Sequence, residues 1–459
     1  MKLGMRLKTV LAMLTASVIA VNAQENEPAK GTLTLKLDST IILALSQNPT
    51  MMVAEKEIKL KEVANTEAWQ NLLPTVSLNG TVAYNIKVAE IKTSMGSFKM
   101  GMDDSNTWNG ALQVSVPLYA PAVYKTMNLT KSDLELAKEK SRGSKVDLIN
   151  QVTKAYYQLM LAQDSYNVLL ENYNLAEKNF DIVNAMFEQG RVSEYDKISA
   201  EVQKKNAWPS VVSGKNAVEL AKLQLKVLMG ITANVDMVIN DSLKNYEAEM
   251  ARAVGMKINL DNNSSLRQID LQGDLLRKQR SMLKTSFLPT IALVGSYQYQ
   301  SMSNTNWEVH NFNWSNASSL TLSVSIPLYK ASNFTSLKSN SIQQDQLAQT
   351  RINTERMLNM QAQSYIDNMT KSAEQLESNK EAVKLAEKGF EISQKRYDVG
   401  KGTILELTNS QVSLTNTKLT YNNTIYEYLV ARTDLDKVLG NTNGYENIAP
   451  GEKPLEINK

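Results

Sequence analysis

The chain has 459 residues, enough for two or three ordinary domains, and sets 50 Lys and Arg against 47 Asp and Glu, so no basic block marks nucleic acid as a partner. Cysteine is absent, which excludes disulfide frameworks, thiolate metal sites, cysteine nucleophiles and a lipidated cysteine anchor. His310 is the single histidine, and with no nucleophile–base pair or metal-ligand cluster in the sequence neither an enzyme nor a cofactor is expected.

Residues 1–23 read as a signal peptide: Lys2, Arg6 and Lys8 precede an apolar run from Val10 to Val21, and Val21-Asn22-Ala23 sets small residues at cleavage spacing before Gln24. No later stretch approaches the ~18 apolar residues of a membrane-spanning helix.

Residues 24–230 read as a first structural repeat: a helix, a β-hairpin over 75–119, and a long helical hairpin turning near 190. In the first strand Val76, Leu78, Gly80, Val82, Tyr84 and Ile86 alternate with Ser77, Asn79, Thr81, Ala83 and Asn85. Leu112, Val114, Val116 and Leu118 alternate with Gln113 and Ser115 in the second, so each strand has one apolar and one polar face. Pro74 pushes the preceding residue out of helical geometry, and Pro117 lacks the N–H a ladder needs, marking where the next helix begins. Leu159, Tyr166, Tyr173, Phe180 and Phe187 then recur every seven residues, with Ala162, Leu169, Ala176 and Val183 three places on. A sustained heptad predicts a left-handed supercoil; the alternative is a single amphipathic helix on a globular core. Gly143 is a candidate bend, and Trp208-Pro209 a candidate kink, in these helices.

Residues 231–262 and 441–459 lose both periods; the first reads as an equatorial linker and the second as a C-terminal tail. Between them residues 263–440 repeat the first unit, with a β-hairpin over 290–329 and a tip near 400. "VSVPLY" at Val114 returns as "VSIPLY" at Val324, and Gly190 and Gly230 return as Gly400 and Gly440, all 210 residues on. "LLPTVSLNG" at Leu72 answers "FLPTIALVG" at Phe287, so the chain reads as a two-fold internal duplication. Ile291, Leu293, Tyr297 and Tyr299, then Leu320, Leu322, Val324, Ile326 and Leu328, repeat the strand alternation; Met369, Leu376, Val383, Phe390 and Tyr397 repeat the heptad. Pro121 to Gly190 spans 69 residues and Pro327 to Gly400 spans 73, rods of roughly 100 Å if unbroken.

Strands of this length suit a tilted bilayer crossing, but four fall short of the ~8 that close a barrel, so other copies must complete it. The fold class expected is mixed: a transmembrane β-barrel continuous with a long α-helical coiled-coil barrel. The four strands also fit a small soluble sheet lying on the helices.

The ordered set of "LDSTIILALSQNPTMMVAEKEIKL", the "LLP" and "FLP" joints, the "VPLY" and "IPLY" joints and the tip "RYDVGKGTILEL" resembles the TolC-type outer-membrane efflux proteins, from about Leu35 to Gly440. The resemblance implies a homotrimer whose twelve strands cross the outer membrane of a Gram-negative bacterium, against outer-membrane lipid, above a helical tunnel in the periplasm. It implies a passive exit duct of a tripartite efflux or type I secretion system, with a periplasmic adaptor (membrane fusion) protein and an inner-membrane transporter as partners. Gln189, Gly190, Arg191 and Val192, with Val399, Gly400, Lys401 and Gly402, would then meet the adaptor, and Asp196 and Glu406 would line a periplasmic aperture. Asn409 stands where the family commonly has a second acid. Read from the residues alone, Thr403 and Glu406 make a capping box and Ser193 and Asp196 a weaker one, so Glu406 is either an aperture charge or a solvent-exposed cap. The rival functions are a soluble periplasmic coiled-coil adaptor or scaffold, and a secreted adhesin or filament protein.

Met95, Met100 and Met102 fit either a thioether Cu(I) site or ordinary loop methionines. His310 lies in the second hairpin loop among Trp307, Phe312 and Trp314, aromatics that suit a membrane-interface girdle or a packed loop.

Overall fold

Period-two segments pair edge to edge and heptad segments pack side by side, and the molecule separates them into a sheet end and a helical end. This is a computed structural model that describes residues 33–94, 96–99, 101–231, 236–250, 258–303, 313–442, 444–445, 448 and 450–451. The predicted signal peptide, Met95, Met100, Trp307, His310 and Phe312 lie outside the described residues. In chain order the elements are β1 (Leu33–Thr34), α1 (Leu37–Gln47), α2 (Pro49–Gln70), β2 (Thr75–Asn85), β3 (Glu90–Thr93), β4 (Gly96–Lys99), β5 (Ser105–Tyr119), α3 (Pro121–Glu188) and α4 (Glu194–Met229). There follow β6 (Met237–Val238), a 3-10 turn (Leu243–Tyr246), α5 (Glu247–Met250), α6 (Ser264–Lys284), a second 3-10 turn (Thr285–Phe287), β7 (Thr290–Ser303), β8 (Ser315–Ser325), α7 (Ala331–Asp398) and α8 (Ile404–Leu439).

The four long strands form one antiparallel sheet in the order β2-β5-β7-β8. Its register aligns the alternation of the strands. Val76, Val114, Gly295 and Leu320 lie in one row, and Leu78, Leu112 and Tyr297 in another on the same face, which in β8 ends at Ser318. The rows between are polar: Ser77, Gln113, Ser296 and Ser319, then Thr81, Asn109, Gln300 and Ser315. Ser296 and Ser319 share a hydrogen bond of 2.8 Å on that face. None of the four strands carries a charged residue. Among the described residues no helix covers either face: β8 is exposed throughout, and Leu78 and Leu320 are 79% and 75% exposed. The soluble sheet resting on helices is therefore not what forms. Pro117 sits inside β5, where the register with β7 shifts, and the ladder runs on to Tyr119.

The helices lie side by side in one layer. Near the sheet α2, α3, α6 and α7 lie side by side; nearer the tips the order is α4, α3, α8, α7. α3 and α7 both have 68 residues, and α4 and α8 both have 36. The four-residue difference expected between the rods vanishes because α7 begins at Ala331, four residues after Pro327. Each rod is about 100 Å long. α3 runs through Gly143, where a close approach needs glycine: a Cβ there would stand 2.6 Å from Ser264 Oγ at the start of α6. α4 likewise runs through Pro209, with the Trp208 ring 5.1 Å from that of Tyr173.

The core sits midway, where helix ends meet. Asn48 caps α2 by accepting from Thr50 N–H (2.8 Å) and donates through Nδ2 to Leu228 O (2.8 Å) in the last turn of α4. Asn263 caps α6 by accepting from Leu266 N–H (3.0 Å) and donates to Val438 O (2.7 Å) in α8. Each asparagine thus satisfies an orphan donor of one helix and an orphan acceptor of another, joining α4 to α2 and α8 to α6 end to end. Gly230 and Gly440 close the upstream helices with φ of 69° and 73°, and a Cβ at Gly230 would press 2.6 Å from Gln47 O. Around these joints Tyr156, Met160, Leu225, Met229, Ile425 and Tyr428 are buried against α1 and the linker. The linker is tied in by β6, which pairs in parallel with β1, and by half-buried Asp164, which accepts from Ser242 Oγ and Leu243 N–H (3.0 Å each). Burial pushes the Asp164 carboxyl up, against those two bonds.

Candidate functional site

The lower ends of the rods are built by one backbone solution used twice. α3 stops at Gln189; Gly190 takes φ 70°, its N–H reaching Phe187 O (2.8 Å) and Arg191 N–H reaching Met186 O (2.9 Å). α7 stops at Val399; Gly400 takes φ 73°, with Gly400 N–H on Tyr397 O (2.9 Å) and Lys401 N–H on Arg396 O (2.8 Å). Both are Schellman endings, which satisfy carbonyls the helix leaves open. Gly190 and Gly400 have open space where a Cβ would stand, so the left-handed backbone alone demands glycine. Gly402 is there for another reason: its Cβ would lie 3.1 Å from Tyr397 N and 3.2 Å from Arg396. The first tip has Val192 at this place, half-buried against a small apolar cluster.

That cluster joins the two tips. Val183 and Ala200 of the first hairpin bury against Tyr397, Ile404 and Leu407 of the second. Above it a chain of buried amides crosses from α3 to α8: Asn179 Nδ2 donates to Gln411 Oε1 (3.1 Å), and Gln411 Nε2 donates to Asn172 O and Oδ1 (2.9 Å each). The Tyr397 hydroxyl is enclosed without a hydrogen-bond partner, and burial, with the charges of Asp196 and Asp398, pushes its pKa up to about 12.

Of the residues expected to meet a partner, Gln189, Gly190, Arg191, Val399, Gly400 and Lys401 are exposed at the extremity, while Val192 and Gly402 are half-buried. Asp196 and Glu406 both stand in the first turn of a returning helix, with Asn409 exposed three places beyond Glu406. The capping expectation is reversed. The full box forms at Ser193, whose Oγ accepts from Asp196 N–H (3.2 Å) while Asp196 Oδ2 accepts from Ser193 N–H (3.1 Å). At the second tip Thr403 Oγ1 accepts from Glu406 N–H (3.2 Å), but the Glu406 carboxylate turns to Arg396 Nη2, 3.6 Å away. A guanidinium on the descending helix outcompetes a neutral N–H. Sequence reasoning missed Arg396, and it missed the helix joints at Asn48 and Asn263; the last two stand 215 residues apart, the offset of the "LLP" and "FLP" echo, which was the signal to use.

Residues 40–231 and 257–441 match the outer membrane efflux protein family. The chain belongs to that family. The soluble adaptor or scaffold reading falls with it, and so does the secreted adhesin: this is an outer-membrane efflux protein of the TolC type, in a family of efflux proteins and not of enzymes. It is 22% identical to the outer membrane protein TolC of Vibrio cholerae over 382 residues, covering 82% of this chain and 84% of that one. The fold is that of the outer-membrane channel OprN (TM-score 0.69, 15% identity, 88% of this chain and 89% of that one). It is also that of CusC (TM-score 0.70, 14% identity, 89% and 93%).

Proposed function

We propose that three copies of this outer-membrane efflux channel close into one duct, with a twelve-stranded barrel in the membrane and a helical tunnel below it in the periplasm. The observation that carries this is the bare sheet: one face that is apolar over the helix-proximal rows, one uncharged face rich in Ser, Thr, Asn and Gln, and, among the described residues, two unpaired edges at β2 and β8. Water outside that apolar face is unfavourable, at about 25 cal/mol per Å², and open strand edges do not survive in lipid. Closure with copies of itself answers both at once, leaving apolar rows to lipid and Ser, Thr, Asn and Gln rows to the lumen. The helical layer has matching free margins in α4 and α7, where Val202, Leu220 and Val227, and Leu385 and Ile392, are exposed at helical spacing. Duplication of one ancestral unit accounts for the paired 68- and 36-residue helices.

In this reading the duct conducts passively for an inner-membrane transporter, and a periplasmic adaptor docks on Gln189–Val192 and Val399–Gly402. Asp196, Glu406 and Asn409 sit nearest the closed aperture, where three Glu406 carboxylates favour cations. Protein in planar bilayers is expected to conduct with cation preference, weakened in Glu406→Gln. Absence of conductance steps contradicts the duct; unchanged ion selectivity leaves Glu406 only its contact with Arg396.

A further inference from the structure

We propose that the rim where strands become helices binds anionic phospholipid headgroups of the periplasmic leaflet, through Lys125, Arg280, Lys284 and Lys330. The inference rests on the barrel reading above. Lys284 ends α6 and Lys330 immediately precedes α7, while Lys125 and Arg280 lie one turn, about 6 Å, from the adjoining helix ends. An aromatic cluster fixes the level of this rim: the Phe287 and Phe334 rings are 5.1 Å apart and Tyr329 and Phe334 6.4 Å, beside Leu328, which is 93% exposed. Such aromatics sit at the boundary between hydrocarbon and headgroup. Lys125, Lys284 and Lys330 are exposed and Arg280 half-buried.

The charge at this level has almost one sign. From Arg277 to Gln344 the sequence holds a single acid, Glu308, which falls between β7 and β8 in the sequence. In the first hairpin Glu90, Asp103 and Asp104 lie at the far end, and α2 brings one acid, Glu67, to the rim. None of the four cations has an ion-pair partner among the described residues. Deeper along the helices pairing begins, with Lys61 on Asp133 (3.0 Å) and Arg277 on Asp274. At the opposite end of the sheet signs are mixed, with Lys99 on Asp103. A cationic collar directly against an uncovered apolar band matches a lipid carrying a phosphodiester charge above its acyl chains.

The test is thermal unfolding of the purified protein in a neutral detergent. Phosphatidylglycerol is expected to raise the midpoint by about 4 °C more than phosphatidylcholine. The variant Lys125→Gln/Arg280→Gln/Lys284→Gln/Lys330→Gln should lose most of that difference, and Lys384→Gln/Lys388→Gln, on exposed α7 far from the rim, should keep it. Equal effects of the two lipids, equal losses in both variants, or the same rise from inorganic phosphate would each overturn the proposal. If the four-site variant does not fold, native mass spectrometry of wild-type protein in an equimolar mixture of the two lipids decides: retention without preference overturns it. A protein that stays dispersed without detergent sinks the barrel reading instead, so the two failures are distinguishable.

Discussion

The middle of the rods and their tips are held by unequal means. Midway, the ends of α4 and α8 are stitched to α2 and α6 by buried asparagines, and the surrounding core draws on α1, α3, α4, α7, α8 and the linker. At the tips the shared cluster has only five buried residues, Val183, Ala200, Tyr397, Ile404 and Leu407, and the remaining bonds are local to each turn. Segments that move are drawn from the low-stability end of a structure. In the proposed duct this difference puts the opening at the tips: the hairpins would part below the Asn179–Gln411–Asn172 amides while the middle holds.

The largest effect that tests this contrast is a truncation made in both places. Leu225→Ala, in the central core, should cost about 3 kcal/mol and lower the thermal midpoint of the whole protein. Leu407→Ala removes an equally buried side chain at the tip, yet should show mainly as faster amide exchange in the last turns of α3 and α7, with the global midpoint nearly unchanged. Equal drops in midpoint would erase the distinction. A smaller effect is expected at Asn263→Ala, about 2 kcal/mol, because a cap and a helix joint go together; denaturant unfolding with an unchanged slope measures it. The smallest sharpens the contrast between the tips themselves. Ser193→Ala should cost about 1 kcal/mol of local stability and Thr403→Ala roughly half that, since only the first tip has a reciprocal box. Amide exchange at Asp196 and Glu406 reads both.

Much of this was legible in the sequence because its periods are long. The alternation in Val76–Asn85 and Ile291–Tyr299 decided the strands and their faces, and Gly190 and Gly400 marked both tips. The parallel pair β1–β6 was not legible: two residues each, brought together across 204 positions, carry no period to read. The close approach at Gly143 was not legible, because sequence shows a glycine's freedom but not the Ser264 hydroxyl that needs the space. Glu406 was assigned to a box because local spacing is visible and Arg396, ten residues upstream across the turn, is not obviously its rival. Local signals misled where a tertiary neighbour took the same group.

The most direct test of the account is the mass of the protein extracted from outer membranes, measured by light scattering with the detergent contribution subtracted. Three chains in a detergent-dependent particle is the expected result. A monomer that remains in solution with no detergent would contradict a sheet whose apolar face needs lipid and whose edges need copies of itself.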